Sequence, residues 1–284
     1  MISSSDFEKQ FKERITMEVR SLGYRTDLIF PKFDGQILDR GDYLVILTPT
    51  NPTFYWGNFL LFSKPPGMGD LENWKAIFAK EIGPPIKVEH LAFGWDSMAG
   101  EMGEIKPFLD AGFNLGQTVV LSTEQVKVPP KYNQEIVIRP LTEDWEWEKA
   151  AQNQIACRPP EHSLNDYEIF KRDQMRRYRQ MTKAGRGFWF GAFLDNQLVA
   201  ELGIFSDGKI GRFQQVGTHP DYRRRGICGT LVYQVSRYAF ENLKLESLVM
   251  VADENYHAAR IYESIGFQPR EHQVGIDWWK KSGQ

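Results

Sequence analysis

Two cysteines, Cys157 and Cys228, are all that the 284-residue chain contains. That excludes a disulfide framework and makes a reducing cytoplasm the expected compartment. Long apolar runs are missing too, so no membrane span is expected. The opening "MISSSDFEKQ" has neither the basic region nor the apolar stretch of a signal peptide. Charge of one sign is not in excess: 35 Lys and Arg stand against 37 Asp and Glu, a net charge of -2. A broad nucleic-acid surface is therefore not expected, and any anion must be bound locally. The five histidines are scattered, with no His/Cys/Asp group at ligand spacing, so no metal is expected. Neither Gly-Lys-Ser/Thr nor Gly-x-Ser-x-Gly occurs, which excludes a P-loop and a serine-hydrolase elbow.

What is present is an ordinary globular composition, 42% hydrophobic and 25% charged, long enough for two domains. Ser5 and Glu8 in capping-box spacing, with Phe7, Phe11, Ile15, Val19 and Leu22 at helical period, predict a first helix. Strands follow in "DYLVILTPTNPTFYWGNFLLF", then a helix in "LENWKAIFAKEI", a strand in "VEHLAFGW", a helix in "EIKPFLDAG" and a strand in "FNLGQTVVLS". "KVPPKYNQE" reads as a linker. Beyond it come a strand "IVIRPL", a helix with Thr142 as expected N-cap, a Pro159-Pro160 loop and a second helix. Three strands then run through short polar turns at Asp195-Asn196 and Asp207-Gly208 as an antiparallel meander. A helix, the buried strand "ESLVMVAD", the helix "NYHAARIYESIG" and closing strands in "FQPREHQVGIDWW" complete the chain.

"FLDAGFNLGQTVVL" and "YESIGFQPREHQVGI" share the order helix end, Gly-Phe, strand, and each follows an apolar strand ending in an acid, Asp96 or Asp253. Their offset of about half the chain points to a duplicated unit. The expected division is residues 1–126, a linker at 127–134, and residues 135–284.

In "DYRRRGICGTL", Arg223, Arg224 and Arg225 precede Gly226, and Ile227, Leu231, Val235 and Tyr238 then keep helical period. A helix N-terminus offers unpaired amides and a positive dipole end, glycine lets a ligand approach, and arginine suits phosphate oxygens. A dinucleotide fingerprint would need glycine where Cys228 stands. Arg-x-x-Gly-x-Gly/Ala at Arg223 to Cys228, together with "NYHAARIYESIGF", resembles the two best-known motifs of the GNAT superfamily of acetyl-CoA-dependent N-acetyltransferases. The resemblance covers roughly residues 135 to 284, and Cys228 departs from the family's small residue. It implies an α+β fold, a mixed and mostly antiparallel sheet flanked by helices, in two tandem GNAT-like domains. It also implies that acetyl-CoA is the donor and an amine the acceptor. The diphosphate would lie on the amides of Arg224 to Thr230, including Ile227, Cys228 and Gly229, beside Arg223. The pantetheine arm would pair with a splayed strand at Val216 to Thr218, with Gly217 as the natural bulge, and Asn255 and Ala258 would line the same cleft.

Acetyl transfer needs an amine stripped of its proton and benefits from a donor to the leaving thiolate. The resemblance places Tyr262 as that donor; its other reading is a core aromatic on one helix face with Ala258, Ile261 and Ile265. Glu201, an acid inside an apolar strand, is the first candidate base, with Asp253, Glu254, His219 and His257 as alternatives and a water chain open. Glu161 and His162 in "CRPPEHS" could meet a cationic amine. The first half's counterpart of the arginine turn, "SKPPGMGDLENW", carries Asp70 and Glu72 beside a single Lys64, so it is expected to be a degenerate copy without a coenzyme A loop. "NPTFYWGNF" reads first as its core, with part of an acceptor wall as the other reading. Two other readings stand beside the enzyme: a module that senses acyl-CoA without turnover, and a nucleic-acid surface built on "RRYR" and "RRR", which the overall charge disfavours.

Overall fold

The computed structural model describes residues 16–52, 54–160, 163–253 and 258–280. The chain begins with α1 (Leu22–Asp27), α2 (Pro31–Asp34), β1 (Gln36–Asp39), β2 (Tyr43–Leu47) and β3 (Phe59–Phe62). It continues through α3 (Asp70–Glu81), α4 (Pro85–Val88), β4 (His90–Trp95), α5 (Lys106–Asp110) and β5 (Asn114–Thr123). Next are β6 (Val137–Pro140), α6 (Asp144–Ala156), α7 (Leu164–Lys183), β7 (Gly187–Leu194), β8 (Gln197–Asp207) and β9 (Ile210–Thr218). Last come α8 (Ile227–Glu241), β10 (Ser247–Asp253), α9 (Ala258–Ile265) and β11 (Gln268–Trp279). The architecture is mixed α+β, with an open sheet that is mostly antiparallel and partly parallel.

The expected first helix falls mainly outside the described residues. Its described end is not helical: residues 16–20 carry no regular structure and the helix starts at Leu22. Thr142 is not the cap of α6. Glu143 is, because Glu146 reaches back to accept from the Glu143 amide at 3.0 Å and the Thr142 amide at 2.7 Å, a capping box one residue later than expected. The closing strands are one continuous strand, β11. Asp195 and Asn196 both adopt positive φ, which a two-residue hairpin turn with the native twist requires.

The chain divides into two compact units, one comprising Met1–Gln117 with Gln273–Gln284, the other Thr118–His272. The expected boundaries at 126 and 135 differ from this division, because Thr118–Thr123 of β5 already belong to the second unit's sheet and the C-terminal strand returns to the first unit's. In the first unit β1, β2 and β3 form an antiparallel meander, β4 joins β3 in parallel, and Gly275–Trp279 of β11 pair antiparallel with β4. The second unit repeats that order: β6 to β9 are antiparallel, β10 joins β9 in parallel, and Thr118–Thr123 of β5 pair antiparallel with β10. In both, a helix (α3 or α8) makes the crossover between the parallel strands, the connection that parallel pairing demands. The shared strand pattern is what a duplicated unit looks like.

Within the second unit the two faces of the sheet differ. Phe190, Ala192, Leu202 and Ile204 pack with Ile227, Leu231 and Val235 of α8 and with Ala258, Tyr262 and Ile265 of α9. Alternation sends Trp189, Glu201 and Phe205 to the other face. There Trp189 stacks on Tyr178 of α7 at 4.9 Å and approaches Trp147 of α6 at 6.0 Å.

Candidate functional site

The parallel pairing of β9 with β10 runs only from Ile210↔Ser247 to Arg212↔Val249. Beyond it, β9 continues along β8 while β10 continues along β5, so the two parallel strands part. A bulge makes β9 turn away. Glu201 faces Gly217 and Gly203 faces Gln214, which leaves Leu202 opposite both Gln215 and Val216. The bulge residue is therefore Gln215, at φ 51, and not Gly217 as the sequence suggested. Gly217 is needed for a different reason: a Cβ there would meet Glu201 Oε1 at 2.8 Å and Gln154 Nε2 at 3.1 Å.

Side chains from α6 and α7 hold the bulged strand. Gln154 Nε2 donates to the Gln215 carbonyl at 2.9 Å, Lys171 Nζ to Gln215 Oε1 at 2.6 Å, and the Cys157 thiol to the Thr218 carbonyl at 3.3 Å. Glu201 lies behind them, wholly buried, with Oε2 accepting from Trp189 Nε1 at 2.7 Å and Oε1 accepting from Gln154 and from Asn153 at 3.3 Å. Burial pushes the Glu201 carboxyl up to about 8, against the opposing hydrogen bonds and the Lys171 charge. Burial likewise pushes the Lys171 ammonium down to about 8, against the Glu201 charge. All of the Glu201 side chain is covered, and both of its oxygens are engaged by neighbouring donors.

At the end of β9, Pro220–Tyr222 form a single 3₁₀ turn, and the arginines then divide their work. Arg223 Nε donates to the Thr218 carbonyl at 3.2 Å, and the Arg225 guanidinium lies 5.1 Å from the Tyr222 ring centroid. Arg224 and Gly226 both have positive φ, 63° and 79°. Gly226 is the N-cap of α8, with no capping side chain and no acid in the first turn. The Thr230 amide is the first to bond within the helix, to the Gly226 carbonyl at 3.0 Å. The Ile227, Cys228 and Gly229 amides precede it, so no helix carbonyl serves them. Burial pushes the Cys228 thiol up to about 12, which keeps it neutral at this anion-favouring end. One expectation is corrected: the Gly226 Cβ position faces the Lys131 carbonyl, so the open side of this glycine is filled by the chain itself.

Tyr262 is buried on the inner face of α9, its ring 6.4 Å from that of Phe267, in one cluster with Ala258 and Ile265. Asp253 is exposed at the end of β10, and His219 lies at the start of the 3₁₀ turn. Asn255, Glu254, His257, Glu161 and His162 lie outside the described residues. The structure thus brings Val216 to Thr218, Arg223 to Thr230 and the parting of β9 from β10 into one unit. Sequence reasoning missed Asn153, Gln154, Lys171 and Gln215. Lys171 did leave a signal, because it shares a helix stripe with Met175, Tyr178 and Met181, all buried.

In the first unit, the turn between β3 and α3 has Gly69 at φ 83 as N-cap, as Gly226 is for α8. Here Asp70 Oδ2 accepts from the Gly67 amide at 2.7 Å, so a carboxylate from the helix start occupies the turn.

Residues 146–267 match the sequence pattern of the Acetyltransferase (GNAT) family. This segment is a GNAT acetyltransferase domain. No curated protein matches the chain in sequence. Among solved structures, a functionally unknown conserved protein from Staphylococcus epidermidis is similar in fold at TM-score 0.68 and 16% identity, over 90% of this chain and 100% of its own. A GCN5-related N-acetyltransferase from Kribbella flavida aligns at TM-score 0.59 and 15% identity, over 90% of this chain and 95% of that one. Another from Sphaerobacter thermophilus aligns at 0.55 and 15%, over 87% and 84%. The GNAT match begins at Glu146 and ends at Phe267, so it spans α6 from its third residue, the bulged strand, the arginine turn and α9. Among the described residues, no helix is long and apolar enough to cross a membrane.

Proposed function

We propose that the GNAT domain transfers the acetyl group of acetyl-CoA to a primary amine. The observation that carries this reading is the parting of β9 from β10 beside an uncapped, acid-free helix N-terminus. The gap, where β10 no longer pairs with β9, would admit an amide-bearing pantetheine arm, and the turn offers amides to a diphosphate. Val216, Gly217 and Thr218 would line the arm, and Arg224 through Thr230 the diphosphate, with Asn255 and Ala258 at the cleft's far side. No acidic side chain in the first turn of α8 competes for those amides.

The chemistry follows from this placement. The amine attacks the thioester carbonyl, the C–S bond breaks, and the thiolate takes a proton; Tyr262 is our candidate donor. The ammonium form of an amine with pKa near ~10 must first lose a proton. Glu201 acts here as a positioning group, with the proton leaving through water.

Thiol release from acetyl-CoA, followed across a panel of small amines, amino acids and lysine peptides, tests the reading. Amine-dependent release supports it. Tight acetyl-CoA binding with no release for any amine favours the second reading, an acyl-CoA sensor, to which the complete enclosure of Glu201 lends some weight.

A further inference from the structure

Three consecutive carbonyls of the arginine turn are each engaged by the protein. The Arg224 carbonyl accepts from Lys131 Nζ, the Arg225 carbonyl from Asn133 Nδ2 at 3.0 Å, and the Gly226 carbonyl from the Thr230 amide and hydroxyl, each at 3.0 Å. Asn133 closes the set by donating its own amide to Thr230 Oγ1 at 2.8 Å. The segment that does this is the short stretch before β6 that composition marks as a linker. It is anchored along its length. Pro129 meets the Gly229 Cβ position at 3.4 Å, the Lys131 backbone lies over Gly226, and the Tyr132 hydroxyl accepts from Gln234 Nε2 of α8 at 2.7 Å.

All peptide bonds here are trans, and across a trans peptide the N–H points opposite to the carbonyl. The strap holds the carbonyls of Arg224 and Arg225, and Thr230 holds that of Gly226, so the N–H groups of Arg225, Gly226 and Ile227 turn away from those partners. Those N–H groups extend the row begun by Cys228 and Gly229. Positive φ at Arg224 and at Gly226 places left-handed residues on either side of Arg225, a feature of backbone that gathers successive amides into an anion-binding concavity.

We infer that Lys131 and Asn133 are positioning residues for the diphosphate of coenzyme A: by capturing the carbonyls of the arginine turn they aim its amides at the phosphates. The inference rests on the coenzyme A reading above. Without the strap those carbonyls are free to rotate toward the ligand, where their oxygens repel phosphate. Lys131 also brings a cation to the turn, so its contribution falls as salt rises.

Calorimetric titration of the full chain with coenzyme A tests this, using Lys131→Met, Lys131→Arg and Asn133→Ala. Pantetheine, which lacks the diphosphate, serves as the control ligand and is followed by NMR line broadening. The expected result is a rise of about tenfold in Kd for coenzyme A in Lys131→Met and Asn133→Ala. Lys131→Arg, which keeps a cationic donor, should stay within about threefold of the native chain, and pantetheine should bind all four proteins alike. A variant that merely loosens the fold would weaken both ligands together, and that outcome overturns the positioning role. So does unchanged coenzyme A affinity in both variants, which leaves the coenzyme A reading standing. Failure of the native chain to bind coenzyme A removes that reading and this one with it.

Discussion

Glu201 and Tyr262 occupy opposite faces of the second unit's sheet, and their surroundings set what each can do. Tyr262 packs against Phe267 inside the cluster that joins α8 and α9, so Tyr262→Phe keeps the shape and removes only the hydroxyl. We expect kcat for acetyl transfer to fall by about tenfold to a thousandfold, with coenzyme A affinity nearly unchanged, as for a lost general acid. Undiminished turnover would leave Tyr262 a packing residue. For Glu201 the measurable consequence is pH dependence. Burial raises its pKa from 4.5 to about 8 on folding, so the folded state binds the extra proton. Its contribution to stability is full below about pH 4.5 and is lost as pH rises through about 8. Lys171 has the reverse sign: its pKa falls from 10.5 to about 8, so its contribution is full above about 10.5 and lost as pH falls through about 8. Urea unfolding between about pH 5 and 8 should show a shallower decline in Glu201→Gln than in the native protein. Equal slopes would mean that Glu201 stays ionised throughout.

At the scale of elements, the arginine turn depends on its neighbours as much as on its own residues. Gly226 starts α8 with a left-handed backbone, and its Cβ position is filled by Lys131. Gly226→Ala therefore meets two costs, an L-residue at φ 79 and displacement of the strap. Together they should lower stability by about 1–3 kcal/mol. Because the strap must move, coenzyme A should also bind more weakly. Unfolding and titration of the one variant check both. Native-like values for each would show that the strap yields freely. The motif was legible because Arg-x-x-Gly-x-x opens a stretch of helical period. The strap was not, because "KVPPKYNQE" has no period, and a segment that works by bonding distant carbonyls leaves no pattern of its own.

At the scale of the whole molecule, the C-terminal strand returns to complete the first unit, and the second unit begins with β5, upstream of the boundary that composition suggests. Thr118–Thr123 pair with Leu248–Asp253 along one edge of β10. A fragment cut at residue 135, where composition suggests a boundary, loses that strand and the Lys131–Asn133 strap together. It should aggregate or fail to show cooperative unfolding, since an uncovered apolar strand edge is an association site. A soluble fragment with a sharp thermal transition would count against this account. The full chain should bind one coenzyme A. The first unit keeps a left-handed glycine before α3, but Asp70 takes up its turn and Glu72 adds a second charge to the first turn of the helix. Carboxylates there compete for the amides and repel phosphate. Two equivalents in a calorimetric titration would contradict this.

The sequence by itself determined most elements, because periodicity and turn chemistry are local: β7 at Gly187–Leu194, the meander and α8 after the arginine turn all follow from residues adjacent in the chain. It also carried the duplication, in the repeated helix, Gly-Phe and strand. Tertiary structure alone decided the bulge at Gln215, the enclosure of Glu201 by Trp189, Asn153 and Gln154, and the return of the C-terminal strand to the first unit. Each of these depends on which distant groups arrive at the same place. A buried carboxylate reads the same in sequence whether three donors surround it or none, and a strand's pattern names its buried faces without naming the partner at its edge.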